Sequence, residues 1–163
     1  MSYGRMEIAL RAVEEADLPV LFEHQRDPEA NRMAAFPARD RDAFVAHWRG
    51  ILVDEGVIAR TILADGQVVG DILSWVDDER RLVGYWIGRE HWGRGIATRA
   101  LAAFAEEVTI RPLYAKVAVH NAGSIRVLEK CGFVRRGEPG RGDDGIVDLL
   151  YVLERSGASH SAG

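Results

Sequence analysis

Residues 81–108, RLVGYWIGREHWGRGIATRALAAFAEEV, constrain the fold more than any other stretch, because the apolar period changes partway through. Up to Gly88 the pattern is that of a strand; beyond Gly95, Ala97, Leu101, Phe104 and Val108 recur at helical spacing and form one apolar stripe. Gly93 and Gly95 lie between, where a backbone must turn or be approached closely. A second strand, LYAKVAVHN, follows the helix, so the segment is a β–α–β unit. The first-turn N–H groups of such a helix have no intrahelical partner and carry the positive end of its dipole. That start is therefore an anion site, with Arg94 and Arg99 as candidate charge partners. A tight strand-to-helix turn with solvated arginines fits the same letters.

The remaining pattern alternates strands and helices without repeats. MEIALRAV (6–13) reads as a strand, and Asp17 caps a helix running to about Arg26. RDPEANRMAAFPARD (26–40) reads as loop, with Pro28 and Pro37 interrupting any long helix. Phe44, Trp48 and Ile51 mark a helix from about Arg41 to Asp54, and Asp65-Gly66 marks a hairpin between two strands in 57–75. A helix over 122–131 follows, and GFVRRGE and IVDLLYVL close the sheet around the Gly-rich turn GEPGRGDDG. The expectation is a single α/β domain over 1–155 with a mixed sheet, and a disordered tail over 156–163.

Composition bears on function mainly by exclusion. A net charge of −4 argues against a nucleic-acid or anionic-membrane partner, and no apolar run is long enough to span a bilayer. The absence of a basic, apolar leader points to a cytoplasmic protein. Cys131 is the sole cysteine, which excludes an internal disulfide and a thiolate metal cluster, and no metal is expected. Among phosphate ligands, a Walker A loop would need Gly-Lys-Ser/Thr, which GRGIAT lacks. A dinucleotide fingerprint would need a third glycine where Thr98 stands and an acidic residue where the next strand ends in His120-Asn121.

YWIGREHWGRGIAT (85–98) followed by VHNAGSIRVLEKCGF (119–133) resembles the GNAT superfamily of N-acetyltransferases, and within it the RimJ/RimL-like branch that acetylates protein N-termini and assorted small amines. Trp92, Gly95 and Ala97 occupy the places of its Gln/Arg-x-x-Gly-x-Gly/Ala loop; Asn121, Ser124, Lys130, Gly132 and Phe133 match its second motif. The resemblance implies a mixed, mostly antiparallel sheet of about six or seven strands with a central splayed parallel pair and about four helices. It also implies a bulge in the strand before the loop, so that a pantetheine arm lies in the splay.

The implied donor is acetyl-CoA, held by Tyr85, Ile87, Trp92, Gly93, Arg94, Gly95, Ile96, Ala97, Thr98, Asn121, Ser124 and Lys130, with Arg126 a further phosphate partner. The implied reaction is direct attack by an amine in a ternary complex, with the Ile87 N–H on the oxyanion. The tyrosine that much of the superfamily uses on the leaving thiolate is replaced by Leu128, which leaves Ser124 to hydrogen-bond the sulfur. The base is open between His120, whose titration range fits, Asp71, Asp148 and a water chain. Cys131 reads as a small buried hydrophobe. The acceptor is a protein N-terminus or a small-molecule amine, and homo-oligomers are common in this branch. A non-catalytic acyl-CoA sensor or interaction module is the alternative.

Overall fold

The computed structural model describes residues 6–141 and 147–155. Its strands are β1 (Ile8–Ala12), β2 (Ile58–Ala64), β3 (Gln67–Asp77), β4 (Arg80–Ile87), β5 (Leu113–Ala118), β6 (Val134–Arg135), β7 (Gly140–Arg141) and β8 (Val147–Leu153). They form one sheet in the order β1-β2-β3-β4-β5-β8-β6, with β7 also on β8. Only β4 and β5 run parallel. The expected mixed sheet with a central parallel pair is therefore present. Among the described residues it has eight strands where about six or seven were expected: β6 falls in the expected GFVRRGE strand, and the additional one, β7, forms within the expected Gly-rich turn. The rest of that turn, 142–146, and the expected tail lie outside the described residues.

Five helices, not four, cover the sheet: α1 (Leu18–Gln25), α2 (Pro28–Ala34), α3 (Arg41–Val53), α4 (Ile96–Glu107) and α5 (Ala122–Lys130). The extra one is α2, in the stretch read as loop. Proline at the first helical position gives up only an N–H that would have no partner there. Asp27 Oδ2 accepts from the Ala30 N–H at 2.8 Å, and Ala35 ends the helix at φ 56°. Pro28 thus starts a helix where it was expected to prevent one.

The helices divide between two cores. On one face Leu18, Leu21, Phe22, Phe44 and Trp48 of α1 and α3 pack against Ala59, Val68 and Leu73. On the other, Leu101 and Phe104 of α4 and Leu128 of α5 close over Ile62, Ile72, Val83 and Ile87. Burying each such large side chain stabilises the fold by roughly 1.5–3 kcal/mol. A register shift between Ile62 and Leu63 leaves Val69 bulged out of β3, so Val69 and Ile72 reach the same core, which a period of two would forbid. The bulge expected in β4 is absent: β4 pairs with β3 without interruption from Ile87 opposite Gly70 to Arg80 opposite Asp77.

Asp17 ties the first core to the sheet edge. Its carboxylate accepts from Arg11 Nη1 at 2.8 Å and Nη2 at 2.9 Å, from the Glu14 N–H at 2.8 Å and from Thr61 Oγ1 at 2.7 Å. Burial alone would raise its titration, but these four donors outweigh that and hold it at about 2. A carboxyl lowered in the fold contributes stability above its unfolded value and loses it as the pH falls through the folded one. Asp17→Asn should therefore cost on the order of 3 kcal/mol in urea unfolding at neutral pH. The gap to the wild type should narrow as the pH approaches about 2. A gap that did not change with pH would show that the ion pair is not what Asp17 supplies.

Candidate functional site

The site begins where β4 and β5 part. Their ladder contains only Arg81 opposite Leu113 and Leu82 opposite Tyr114, whereas β5 keeps β8 as partner from Leu113 to Ala118. From Val83 onward β4 has a neighbour on one side only. The Gly88 N–H donates to the Val69 carbonyl at 2.9 Å, which makes Gly70–Ile87 a pair without mutual hydrogen bonds. The N–H and C=O of Ile87, and of Tyr85 two residues earlier, therefore point away from β3 into the opening. Trp92 Nε1 uses one of these groups, donating to the Ile87 carbonyl at 2.9 Å.

The loop after β4 leads into the start of α4. Gly93 and Gly95 have φ of 78° and 79°, and a Cβ at either would meet nothing within 4 Å. Backbone conformation, not crowding, is what requires glycine at both. Gly95 caps α4 without a side chain, which leaves the N–H groups of Ile96, Ala97 and Thr98 exposed to an incoming anion. Gly88 is a different case: its Cβ would stand 2.5 Å from His24 Cδ2, so the loop's entry rests directly on α1.

Loop and splay together wall a cavity of about 650 Å³. Of the expected donor residues, Tyr85, Ile87, Trp92, Gly93 and Gly95 line it from the sheet and loop. Ile96, Ala97 and Thr98 line it from α4, and Asn121, Ser124 and Lys130 from α5 and its cap. Arg94 does not: its guanidinium lies 3.4 Å from His91 Nδ1 and 3.2 Å from Met6 Sδ. Arg99 also turns away, donating to the Met6 carbonyl and so tying α4 to the segment before β1. The cationic side chains at the cavity are Arg126 and Lys130.

Ser124 and Tyr85 meet across the opening, Oγ to Oη at 2.6 Å. Burial pushes the Tyr85 phenol up to about 12, against a smaller opposing effect of the Ser124 bond. Tyr85 therefore stays protonated, and its hydroxyl and that of Ser124 share this hydrogen bond at the edge of the cavity. Asn121 Oδ1 caps α5, accepting from the Ser124 N–H at 3.2 Å. The Tyr85 hydroxyl was not foreseen, although strand alternation puts it on the same face as Val83 and Ile87. Ala30, Met33 and Ala34 of α2 also line the cavity and were missed with that helix.

His120 stands at the exposed rim, Nε2 donating to the Arg32 carbonyl at 2.9 Å, and so joins the end of β5 to α2. Cys131 Sγ donates to the Thr98 carbonyl at 3.4 Å, and burial pushes its thiol up, which disfavours the thiolate a nucleophile needs. His24, Glu90 and His91 offer ligand atoms within 4.8 Å of one another, with Glu90 on the Nε2 side of His91 and the Arg94 guanidinium 3.4 Å from its Nδ1.

On the opposite face lies a second cavity of about 630 Å³ between α3 and the β3–β4 pair. Tyr85 and Trp86 line both cavities, so the two meet at these residues. Phe36 packs edge-on to Trp86 at 5.9 Å between centroids, and Trp86 Nε1 donates to the His24 carbonyl at 3.1 Å. Asp71, in register with Trp86, supplies a carboxylate to this cavity. Alternation counted from Gln67 could not have assigned Asp71 a face, because the bulge at Val69 resets it.

A splayed parallel pair beside a glycine-capped helix start is the arrangement that the resemblance to acetyl-CoA-dependent N-acetyltransferases implied. The family model described as Acetyltransferase (GNAT) domain matches residues 7–134, and the chain belongs to that family. It is 34% identical over 124 residues to the Bacillus subtilis protein named "Putative ribosomal N-acetyltransferase YdaF", a match spanning 68% of this chain and 66% of that one. In fold it is similar to the aminoglycoside acetyltransferase AAC(6')-Ib in complex with coenzyme A, at a TM-score of 0.81 and 19% identity over 96% of this chain and 100% of that one. It is likewise similar to RimL, a ribosomal L7/L12 alpha-N-protein acetyltransferase in complex with coenzyme A, at a TM-score of 0.77 and 18% identity over 92% and 95%.

Gly95→Trp should weaken acetyl-CoA binding on the order of 100-fold, about 2.8 kcal/mol, measured by isothermal titration calorimetry. Circular dichroism should show the fold retained. Undiminished affinity would mean that the start of α4 does not hold the donor's phosphates.

Proposed function

We propose that the protein transfers the acetyl group of acetyl-CoA to a primary amine by direct attack in a ternary complex. The observation that carries this reading is the meeting of two cavities at Tyr85 and Trp86, one beside the anion-binding loop and one without phosphate-binding features. The donor would lie in the first, its pyrophosphate on the N–H groups of Ile96, Ala97 and Thr98, with Trp92, Gly93, Arg94 and Gly95 shaping the loop. Its pantetheine arm would pair with the outward backbone groups of Tyr85 and Ile87, and Lys130 and Arg126 would supply charge to the ribose phosphate. The acceptor would enter from the second cavity.

As the amine adds to the thioester, negative charge moves to the carbonyl oxygen and then to sulfur. The Ile87 N–H is the donor for the first, because its carbonyl, not its N–H, is engaged by Trp92. Ser124 is the donor for the second, and Tyr85 orients its hydroxyl from behind. His120 would hold the rim closed through Arg32. The names of the relatives support acceptors of two kinds, a ribosomal protein's N-terminus and an aminoglycoside.

Thiol release from acetyl-CoA with N-terminal peptides, polyamines, amino acids and aminoglycosides tests the reaction. Release with one class identifies the acceptor; release with none, despite acetyl-CoA binding, would favour a CoA-binding sensor. Ser124→Ala should lower kcat by roughly 10–100-fold, as loss of a single transition-state hydrogen bond does, with acetyl-CoA affinity nearly unchanged. An unaltered kcat when chemistry limits the rate would remove Ser124 from the mechanism.

A further inference from the structure

The second cavity holds a charge that the fold itself does not use. Asp71 is half-buried in β3, in register with Thr61 on one side and Trp86 on the other. Among the described residues its carboxylate has neither an ion-pair partner nor a hydrogen-bond donor, and burial pushes it up to about 7. Asp17, a few residues away on the same face through Thr61, has four donors. An unpartnered carboxylate lowers stability unless something cationic comes to it.

The surroundings indicate what that cation is attached to. Phe36, Trp48, Ile51, Leu73, Trp75 and Trp86 make most of the cavity wall apolar and largely aromatic. Its other ionisable groups are few. Asp54 lies at the end of α3. Arg39, before α3, is stacked over Phe36 at 5.1 Å, and burial pushes His47 of α3 down towards the neutral form. On β2 the register neighbour of Asp71 is Thr61, whose hydroxyl is given to the Asp17–Arg11 pair, and from α1 the cavity is lined by Gln25. Two carboxylates offset by one guanidinium cannot balance a polycation, whereas Asp71 amid aromatic rings suits a single ammonium on an apolar body.

Resting on the acetyltransferase reading above, the geometry points to Asp71 as the catalytic residue that binds the acceptor's ammonium and removes its proton, for a primary amine carried on an apolar, ring-sized body. The carboxylate takes one proton from R–NH3+, freeing the nitrogen lone pair. That pair forms the C–N bond at the acetyl carbonyl, and the C–S bond then breaks. The departing thiolate takes a second proton from nitrogen, so the products are the amide and CoA thiol, and Asp71 returns its proton to solvent.

The test follows kcat/KM for phenethylamine, spermidine and kanamycin from about pH 5.5 to about 8.5 in the wild type and in Asp71→Asn, with calorimetric titration of acetyl-CoA. The wild type should prefer phenethylamine at least about tenfold, with log kcat/KM rising with pH and levelling above about 7. Asp71→Asn should bind acetyl-CoA as the wild type does, lose on the order of 100-fold in kcat/KM for phenethylamine and lose that rise. It should also melt at a higher temperature, because the unpartnered charge is gone. A preference for spermidine or kanamycin, or an Asp71→Asn enzyme within about threefold of wild type with the same profile, would overturn the assignment. The wild-type selectivity and profile decide the matter even if the variant does not fold. Acetyl-CoA binding without acetylation of any of the three amines would overturn this inference alone, whereas failure of the wild type to bind acetyl-CoA would overturn the acetyltransferase reading, and this inference with it.

Discussion

The structure depends on an incomplete strand pairing. β4 and β5 share two register pairs and then part, so the backbone of Val83–Ile87 borders a cleft where a sheet would ordinarily have its next strand. Unpaired backbone groups away from water cost free energy, and the surrounding elements serve to limit that cost. At the closed end, the Arg80 guanidinium lies 5.0 Å over the Tyr114 ring, across the strands where they still pair. At the open end, Trp92 reaches back to the Ile87 carbonyl. β5 is held by β8 along its whole length, so the opening does not propagate into the rest of the sheet.

Much of this was legible in sequence because it rests on local rules. The change of period at Gly95 and the helical stripe of Leu101, Phe104 and Val108 predicted α4 correctly, and Asp65-Gly66 predicted the β2–β3 hairpin. Of the residues the motif resemblance named for the donor, all but Arg94 come to line the first cavity. What was not legible depends on long-range placement. Nothing near Arg94 or Arg99 announces that the segment before β1, some ninety positions away, will take up their donors. Pro28 misled because proline breaks a helix only from its second turn onward, and Asp27 had already capped one. The Tyr85–Ser124 bond joins a strand to a helix across an opening that local pattern does not describe.

The bulge in β3 shows how a small irregularity determines the chemistry of both faces. By letting Val69 and Ile72 share one core, it turns Asp71 towards the other side, opposite the face covered by α4 and α5. Gly70 makes this possible: a Cβ there would lie 2.2 Å from the Trp86 carbonyl oxygen. Beside the bulged Val69, Gly70 thus leaves room for the backbone of Trp86, which with Tyr85 borders both cavities.

Gly88 has a consequence of another kind. It is packed against the imidazole of His24 on α1, and α1 ends at Gln25, part of the second cavity's wall, while Gly88 itself leads into the loop that opens the first. The entrance of the first cavity and the wall of the second therefore bear on each other through this contact, beside Tyr85 and Trp86, which line both. The contact also restricts how the protein can diversify. A descendant that remodels the second cavity by moving α1 must do so around a glycine whose Cβ would collide with the His24 ring.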